Sequence, residues 1–502
     1  MKRIKLNTKL IKFLEYAAVV LSGCIFVLVS ASWTSPLFPE MYGYDSAWYS
    51  LVGRAITKGY VPYRDYFDLK GPVFFFIEAL GQLVRRGRTG IFIIECAASC
   101  VSSLFIYKTA LLFVKKLQAF AVLLLYYFVY VSVLWGGNTC EEFMMAFNYA
   151  CIYLMFRFVK EINEGAENPD HFTGAFFFGL SFSVIVLSKV TVAAPLIAAA
   201  LTVVYVLAVN KRTDLIIKII PVFAAGFFTV FIPVCLYFIF HGAFGDFIYC
   251  AFEFAFKRST DYYEKFSLAW EKNLLICYFG LITGIVMKSG DKNNSCRRVF
   301  LILLSVITYL ALHLGTPYLY YFITELAVFV IMTIEGFSLL NEVQSRSQDD
   351  PEKGRVYRLL GFEALILLTV YINAMPTFDK LSENLTYFRY PADVYYEGCI
   401  DTWEFIPFYE RDQIYNLESG MIVYEINGDL PNNKYSVNLP YFLHLDPVIK
   451  QNVLSYLDVK KPKWIISEKM EDFDDEDIKE YVFSHYELAR KTSAEEIYRR
   501  LE

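Results

Sequence analysis

Between the first two strongly apolar runs of this 502-residue chain lies a stretch too polar to cross a bilayer: MYGYDSAWYSLVGRAITKGYVPYRDYFDLKGP, Met41 to Pro72. It gathers Asp45, Asp65 and Asp68 with Arg54, Arg64, Lys58 and Lys70, among a cluster of tyrosines. A carboxylate within hydrogen-bond reach can take the proton of an attacking hydroxyl. A nearby cation can stabilise the charge that grows on a leaving phosphate. The stretch therefore reads as a catalytic loop on the outer face of a membrane. A second acidic segment, WGGNTCEEFMMAF (135–147), sets Glu141 and Glu142 at the head of an apolar run. A carboxylate there is costly unless it is paired or at work. Helix capping accounts for one of the two, and Glu141 is taken as the catalytic candidate of the pair.

The composition says what must hold these residues. The chain is 56% hydrophobic and 18% aromatic, with a mean hydropathy of +0.38, which implies that lipid solvates much of it. A net charge of -5 leaves no basic footprint for nucleic acid. Ten cysteines are present, but Cys24, Cys96, Cys100, Cys151, Cys235 and Cys277 sit in apolar runs, and five histidines are scattered. No CxxC pair or zinc spacing appears. The basic N-terminus and the apolar run from Ile11 to Trp33 read as a retained signal anchor, too long for a signal-peptide core.

A membrane helix needs about 20 apolar residues. The candidate spans are 11–33, 90–114, 119–135, 143–159, 172–187, 190–209, 215–240, 271–287, 299–315, 318–338 and 358–374, about eleven in all. Lys/Arg-rich segments precede the first span and follow the second, sixth, eighth and tenth, so that side is expected to be cytoplasmic. The segments 34–89, 136–142, 241–270 and the tail then lie outside. The predicted organisation is a transmembrane domain, 1–375, followed by a soluble extracytoplasmic α/β domain, 376–502. In that tail GMIVYEI and KWIIS are short apolar runs alternating with the helical patterns DPVIKQNVLSYL and DEDIKEYVFSHY. The run EDFDDED (471–477) reads as a solvated surface or a helix start.

Within 34–89, Trp48, Leu51, Val52, Ala55 and Ile56 recur at helical spacing, with Asp45 at the N-cap position, Gly59 past the end, and Ser50, Arg54 and Lys58 facing elsewhere. This predicts a short interfacial helix. A second amphipathic segment, VFFFIEALGQLV, follows the irregular YVPYRDYFDLKGP.

One span, an acidic residue opening a short helix, and then GY-PY-D-x-x-D-x-KGP is a pattern that resembles GT-C superfamily membrane glycosyltransferases. The resemblance is to bacterial relatives of the dolichyl-phosphate-mannose–protein mannosyltransferases and the lipid A aminoarabinose transferase, and it covers roughly residues 10–340. It implies an α-helical polytopic enzyme that takes a sugar from a polyprenyl-phosphate carrier outside the cytoplasm. It matches Asp45 to the family's essential aspartate, the expected base, although Ser46 stands where many relatives have Glu. It matches Lys70 to a lysine on the carrier phosphate, with Arg64 assisting. Asp65 and Asp68 are open between positioning the sugar, holding a divalent cation together with Asp45, and pairing with Arg64 and Lys70. Glu142, Lys189, Tyr320 and Tyr321 complete the candidate substrate-binding set. Lys189 could meet the carrier phosphate or snorkel, and the tyrosines could form an aromatic belt. Leu319 replaces the histidine that relatives often carry before the tyrosine pair, which argues against a metal there. The third outer loop joins Lys257, Arg258 and Asp261 to aromatics.

The expected function is transfer of a sugar from a polyprenyl-phosphate donor to a cell-envelope acceptor at the plasma membrane, with no nucleic-acid partner and at most a divalent cation as cofactor. The alternatives are a transporter or flippase, or a polymerase, of lipid-linked saccharides. A transporter should carry its charges at the midplane and show internal repeats. Here the acids concentrate in the outer loops, and no repeat is evident.

Overall fold

The structure, a computed structural model, describes residues 8–166, 169–261, 274–288, 292–314, 318–345, 353–391, 393–417 and 420–501. The third loop beyond Asp261, the start of the span expected at 271–287, and residues 315–317 lie outside the described residues. In chain order the helices are α1 Thr8–Ser30, α2 Tyr44–Thr57, α3 Pro72–Val84, α4 Arg88–Ala110, α5 Lys116–Val133, α6 Cys140–Asn163, α7 His171–Val186, α8 Ala194–Val209 and α9 Asp214–Phe240. Next come α10 Phe244–Ile248, α11 Ala255–Asp261, α12 Leu275–Val286, α13 Lys292–Leu312, α14 Leu326–Ser345 and α15 Lys353–Arg389. The tail adds α16 Val394–Phe405, α17 Met421–Asn427, α18 Leu439–Leu445, α19 Pro447–Lys460 and α20 Glu476–His485.

Each of the eleven apolar runs falls on a helix. Among the described residues, eight helical stretches are long and apolar enough to cross a membrane, those containing α1, α4, α5, α8, α9, α13, α14 and α15. Helices α7 and α12 are apolar but shorter, and α6 carries Glu141, Glu142 and Lys160 at its ends. Large apolar side chains point away from protein on these helices, among them Phe13, Leu117 and Ile217, the last 76% exposed. In water that pattern would be a liability, whereas in lipid it costs nothing. The chain is a multi-pass membrane protein.

The chain forms two compact units, each assembled from three segments. The first comprises residues 1–31, 95–233 and 262–383. At its centre is α14, where every residue from Leu326 to Gly336 is buried. Aromatic contacts fill in around it, such as Phe26 stacked on Tyr127 with centroids 4.8 Å apart.

The second unit comprises 32–94, 234–261 and 384–502. Its C-terminal part holds a four-stranded sheet of order β1-β2-β4-β3, with β1 Ile414–Asn416, β2 Trp464–Ser467, β3 Tyr486–Lys491 and β4 Glu496–Arg500. Strand β1 runs parallel to β2, and the other two pairings are antiparallel. KWIIS supplies the fully buried β2. DPVIKQNVLSYL and DEDIKEYVFSHY form α19 and α20, each opened by a capping aspartate, Asp446 and Asp475. GMIVYEI is a helix, α17, closed by Gly428 in the left-handed region at φ 77°. A short, wholly buried apolar run fits strand and helix equally well by periodicity, and the glycine C-cap decides it.

Helices α2 and α3 occupy the positions expected in the 34–89 segment. The N-cap of α2 is Gly43, so Asp45 lies inside the first turn rather than at the cap. Lys58 is the C-cap, and Gly59 follows at φ 91°. Helix α2 is not half-solvated, since every residue from Ser46 to Ala55 is buried. Gly53 permits its close approach to α3: a Cβ there would lie 2.7 Å from the Glu78 carbonyl carbon and 2.8 Å from the Ala79 nitrogen. That is backbone contact, which cannot yield by changing a rotamer. Gly53→Val is therefore expected to cost roughly 1–3 kcal/mol or more through overpacking, read as a lowered unfolding midpoint of the detergent-solubilised protein. An unchanged midpoint would mean that the two helices are not packed as described.

Candidate active site

Two groups of candidate residues emerge, one in each unit. In the second unit, Asp45 is half-buried in the first turn of α2, where its Oδ2 accepts from the Tyr49 hydroxyl at 3.0 Å, one helical turn on. The Lys70 Nζ lies over the ring of the same tyrosine, 4.4 Å from its centroid. Tyr49 is 1% exposed and packs edge-on against Phe74 at 4.9 Å. It therefore joins the two charged residues that the resemblance singles out, with its hydroxyl to the acid and its face to the cation.

The two other aspartates of the segment have different partners. Asp68, 5% exposed, accepts from Trp48 Nε1 at 2.6 Å and from the backbone N–H of Lys70 at 2.7 Å. Its tie to Lys70 is thus through the main chain. Asp65 accepts both Nε and Nη2 of Arg64, at 2.9 and 2.8 Å, and the Val61 N–H at 2.7 Å. Partial burial raises the Asp65 carboxyl, but the Arg64 and Val61 hydrogen bonds outweigh it and leave the group below the usual carboxylate value. Arg64 also donates to the His241 carbonyl at 3.1 Å. Asp65 and Arg64 are thus occupied with each other at the surface.

The Lys70 backbone is fixed from both sides. Tyr63 donates its hydroxyl to the Lys70 carbonyl at 2.5 Å. Tyr63 itself sits at φ 70°, a costly region for a bulky residue. Its ring is fully buried against Phe75, Phe238 and Phe247.

Helix α2 is tied on its polar side. Arg54 Nη2 meets Glu425 Oε2 at 2.6 Å. Ser50 donates to Glu425 Oε1 at 2.9 Å, and Gln82 donates to the Ser50 hydroxyl at 2.8 Å. Burial pushes the Glu425 carboxyl upward, while Arg54 and Ser50 pull it back without cancelling the effect. Arg88 gathers the carbonyls of Phe38 at 2.8 Å and of Trp33 at 3.4 Å, and also that of Met41. Its guanidinium lies 4.4 Å from the Tyr42 ring, just ahead of α2.

In the first unit, four sequence-chosen residues converge. Lys189 pairs with Glu141, with both side chains largely withdrawn from solvent. Its Nζ sits 3.1 Å from the centroid of the Tyr321 ring and 5.3 Å from that of Tyr320. Glu141 Oε2 is buried without a hydrogen-bond partner among the described residues. Glu142 has the capping role: its Oε2 accepts the Thr139 N–H at 2.8 Å and the Thr139 hydroxyl at 3.0 Å. Beside them, Trp135, Tyr318 and Tyr320 lie nearly parallel, with centroids 5.4–5.7 Å apart.

Three participants escaped the sequence reading. Tyr49 was one tyrosine among many. Glu425 lies in GMIVYEI, which read only as a short apolar run of the tail. Glu95 is 2% exposed and accepts the Asn138 N–H at 3.2 Å; a carboxylate inside a predicted span was the available signal. Of the third loop, Lys257 is exposed, and Arg258 stacks 5.0 Å from the Tyr441 ring centroid. Nothing is described of the Asp261 side chain. Among the described residues, no group of three or more His, Cys, Asp or Glu is gathered as a metal site would require.

Fold and site together define a polytopic helical membrane protein with a small four-stranded sheet and two clusters of paired charges and aromatics. The sequence model of the family described as dolichyl-phosphate-mannose-protein mannosyltransferase matches residues 70–237. Among solved structures, ArnT from Cupriavidus metallidurans bound to undecaprenyl phosphate superposes with a TM-score of 0.56 at 11% identity, over 98% of each chain. The apo state of that ArnT gives 0.55 at 11% identity, over 99% of each chain. Among curated proteins, none matches this sequence. The chain has the ArnT fold along its whole length.

The geometry makes two expectations concrete. Asp68→Ala removes the acceptor for two donors, Trp48 Nε1 and the Lys70 N–H, and should cost about 2–6 kcal/mol, at roughly 1–3 per stranded group. Its effect on the denaturation midpoint should exceed that of Asp65→Ala, and the reverse order would count against this placement. Lys189→Met strands a buried carboxylate at a cost of about 3–5 kcal/mol, whereas adding Glu141→Gln should recover much of the loss. A double-mutant cycle in denaturant measures this coupling, and simple additivity would show that the pair is not formed.

Proposed function

We propose that this protein is an integral-membrane glycosyltransferase. It moves a sugar from a polyprenyl-phosphate carrier to a cell-envelope acceptor on the extracytoplasmic face. The observation that carries the reading is the full-length likeness to an ArnT whose structure holds undecaprenyl phosphate. The family match supports it and begins at Lys70.

Asp45 is the general base. As the acceptor hydroxyl attacks the anomeric carbon, Asp45 takes its proton, and the bond from that carbon to the carrier's phosphate oxygen breaks. The departing polyprenyl phosphate gains negative charge, which Lys70 stabilises. Tyr49 orients the Asp45 carboxylate through its hydroxyl and supports the lysine with its ring. Asp68 and Tyr63 hold the Lys70 main chain. Glu141, with Lys189, Tyr320 and Tyr321, forms a second charged and aromatic group for substrate, and its spare buried oxygen suits a sugar hydroxyl. The basic segments face the cytoplasm, so the 34–89 segment and the α/β domain 376–502 lie outside. Any divalent cation assisting the phosphate would act beside Asp45.

Asp45→Asn should lower transfer by about 10²–10⁴-fold while the protein stays folded and membrane-inserted. The assay uses a panel of polyprenyl-phosphate sugars, with and without EDTA. Lys70→Gln should fall comparably, and EDTA sensitivity would assign a metal a share of the charge. Normal turnover by Asp45→Asn would remove that residue from the role of base.

A further inference from the structure

Within the first unit, α1 and α4 meet through small residues and hydroxyls. A Cβ built on Gly23 would lie 3.1 Å from the Cα of Cys100 and 3.0 Å from Ser103 Oγ, so the two backbones are nearly in contact. Ser99 donates to the Gly23 carbonyl at 3.1 Å. The Tyr127 hydroxyl of α5 lies 3.0 Å from Ser22 Oγ and 2.6 Å from Ser103 Oγ, bridging the two helices.

That close approach brings two thiols together. Cys24 Sγ and Cys100 Sγ are 3.2 Å apart, a hydrogen-bonding distance for sulfur. Cys100 Sγ also donates to the Val20 carbonyl at 3.2 Å. A thiol has one hydrogen. With the Cys100 hydrogen on that carbonyl, the contact between the sulfurs is made by the S–H of Cys24, and a lone pair of Cys100 faces Cys24. Cys96, one helical turn before Cys100, stands within interaction range of both. All three cysteines are partly accessible. Val20, Leu21 and Val101 around them are exposed, on helices long and apolar enough to cross a membrane. The accessible side of the group therefore faces lipid. Small size alone is served equally by Ala97, Ala98 and Ser99 on the same turn of α4, whereas two aligned sulfurs can react with each other.

We propose that Cys24 and Cys100 form a redox site, which a lipid-soluble hydroperoxide oxidises to a disulfide joining α1 to α4. Oxygen transfer from the hydroperoxide to Cys24 Sγ gives a sulfenic acid and releases the corresponding alcohol. The Cys100 sulfur then attacks Cys24 Sγ. The S–S bond forms, the S–O bond breaks, and the hydroxyl leaves with the Cys100 hydrogen as water. The two cysteines are 76 positions apart, and the loop that the bond closes contains the whole 34–89 segment, with Asp45, Asp65, Asp68 and Lys70. Oxidation thus ties together the two helices between which that segment is strung in sequence. The site does not depend on the reading of the transfer reaction.

The test uses the full-length protein in dimyristoylphosphatidylcholine nanodiscs, treated with cumene hydroperoxide and then blocked with N-ethylmaleimide. Peptide mapping by mass spectrometry should find Cys24 joined to Cys100, and dithiothreitol should release both. The oxidised protein should unfold at a higher temperature than the reduced one, because closing a long loop restricts the unfolded chain. Cys96→Ser should keep the link, whereas Cys24→Ser and Cys100→Ser should each abolish it, together with the reducible rise in unfolding temperature. The mapping of the wild type stands whether or not these variants fold. If Cys24 and Cys100 both remain open to alkylation after the peroxide, or if Cys24 is found joined to another cysteine, the proposal is overturned.

Discussion

The buried ion pair between Arg54 and Glu425 is the constraint on which the arrangement of the second unit depends. Both side chains are nearly inaccessible, and an ion pair so placed persists only when the rest of each group's hydrogen-bonding capacity is met. Here it is met. Glu425 also receives Ser50, and Arg54 also donates to the carbonyls of Asp429 and Tyr424. Helix α2 is consequently held on one side by α3, through the bare backbone at Gly53, and on another by α17 of the tail. The position of Asp45 in the first turn of α2 is thus set through Arg54 by residues some 370 positions further along the chain than that arginine. That is why the 34–89 segment and the C-terminal residues belong to one compact unit.

The membrane-embedded part of the fold was legible because lipid imposes a one-dimensional rule on sequence. An uninterrupted apolar run must satisfy its backbone internally, and a helix does so. The described parts of all eleven runs are helical for that reason, including those too short or too charged to qualify as spans by themselves. The tail obeyed the subtler rules of a water-exposed α/β fold. KWIIS, α19 and α20 were readable because their neighbours supplied caps and charge. GMIVYEI was not, since burial on every side erases the periodicity that separates strand from helix.

Within the candidate site, some of the partnerships between chosen residues were legible in the sequence and others were not. The choice of Glu141 over Glu142 rested on the argument that a cap needs only one of them, and Glu142 is the cap. Lys189 and the Tyr320–Tyr321 pair were chosen separately and meet around Glu141. By contrast, Ser50 and Arg54 read as the wet face of a surface helix, because nothing local announces Glu425. Asp45 read as an N-cap because an acid beside a helical pattern is the usual signature, yet Gly43 takes that place in extended backbone. Long-range polar partners leave no periodic trace, so a buried polar face and a solvated one look alike in sequence.

Lys70 shows how a poorly preorganised residue type can be made into a fixed charge. A lysine carries about 2 kcal/mol of side-chain rotamer entropy, which is lost when its ammonium is held in one place. In this structure the backbone of Lys70 is immobilised at both ends, its N–H by Asp68 and its carbonyl by Tyr63. The ring of Tyr49 further restricts its ammonium. The left-handed backbone of Tyr63 costs on the order of 1–3 kcal/mol, a cost offset by burying a whole tyrosine ring among three phenylalanines. Because Tyr49 also donates to Asp45, the acid and the cation share one rigid support. A displacement of that ring moves the carboxylate and the ammonium together, so the geometry between them survives small motions of the segment that carries both.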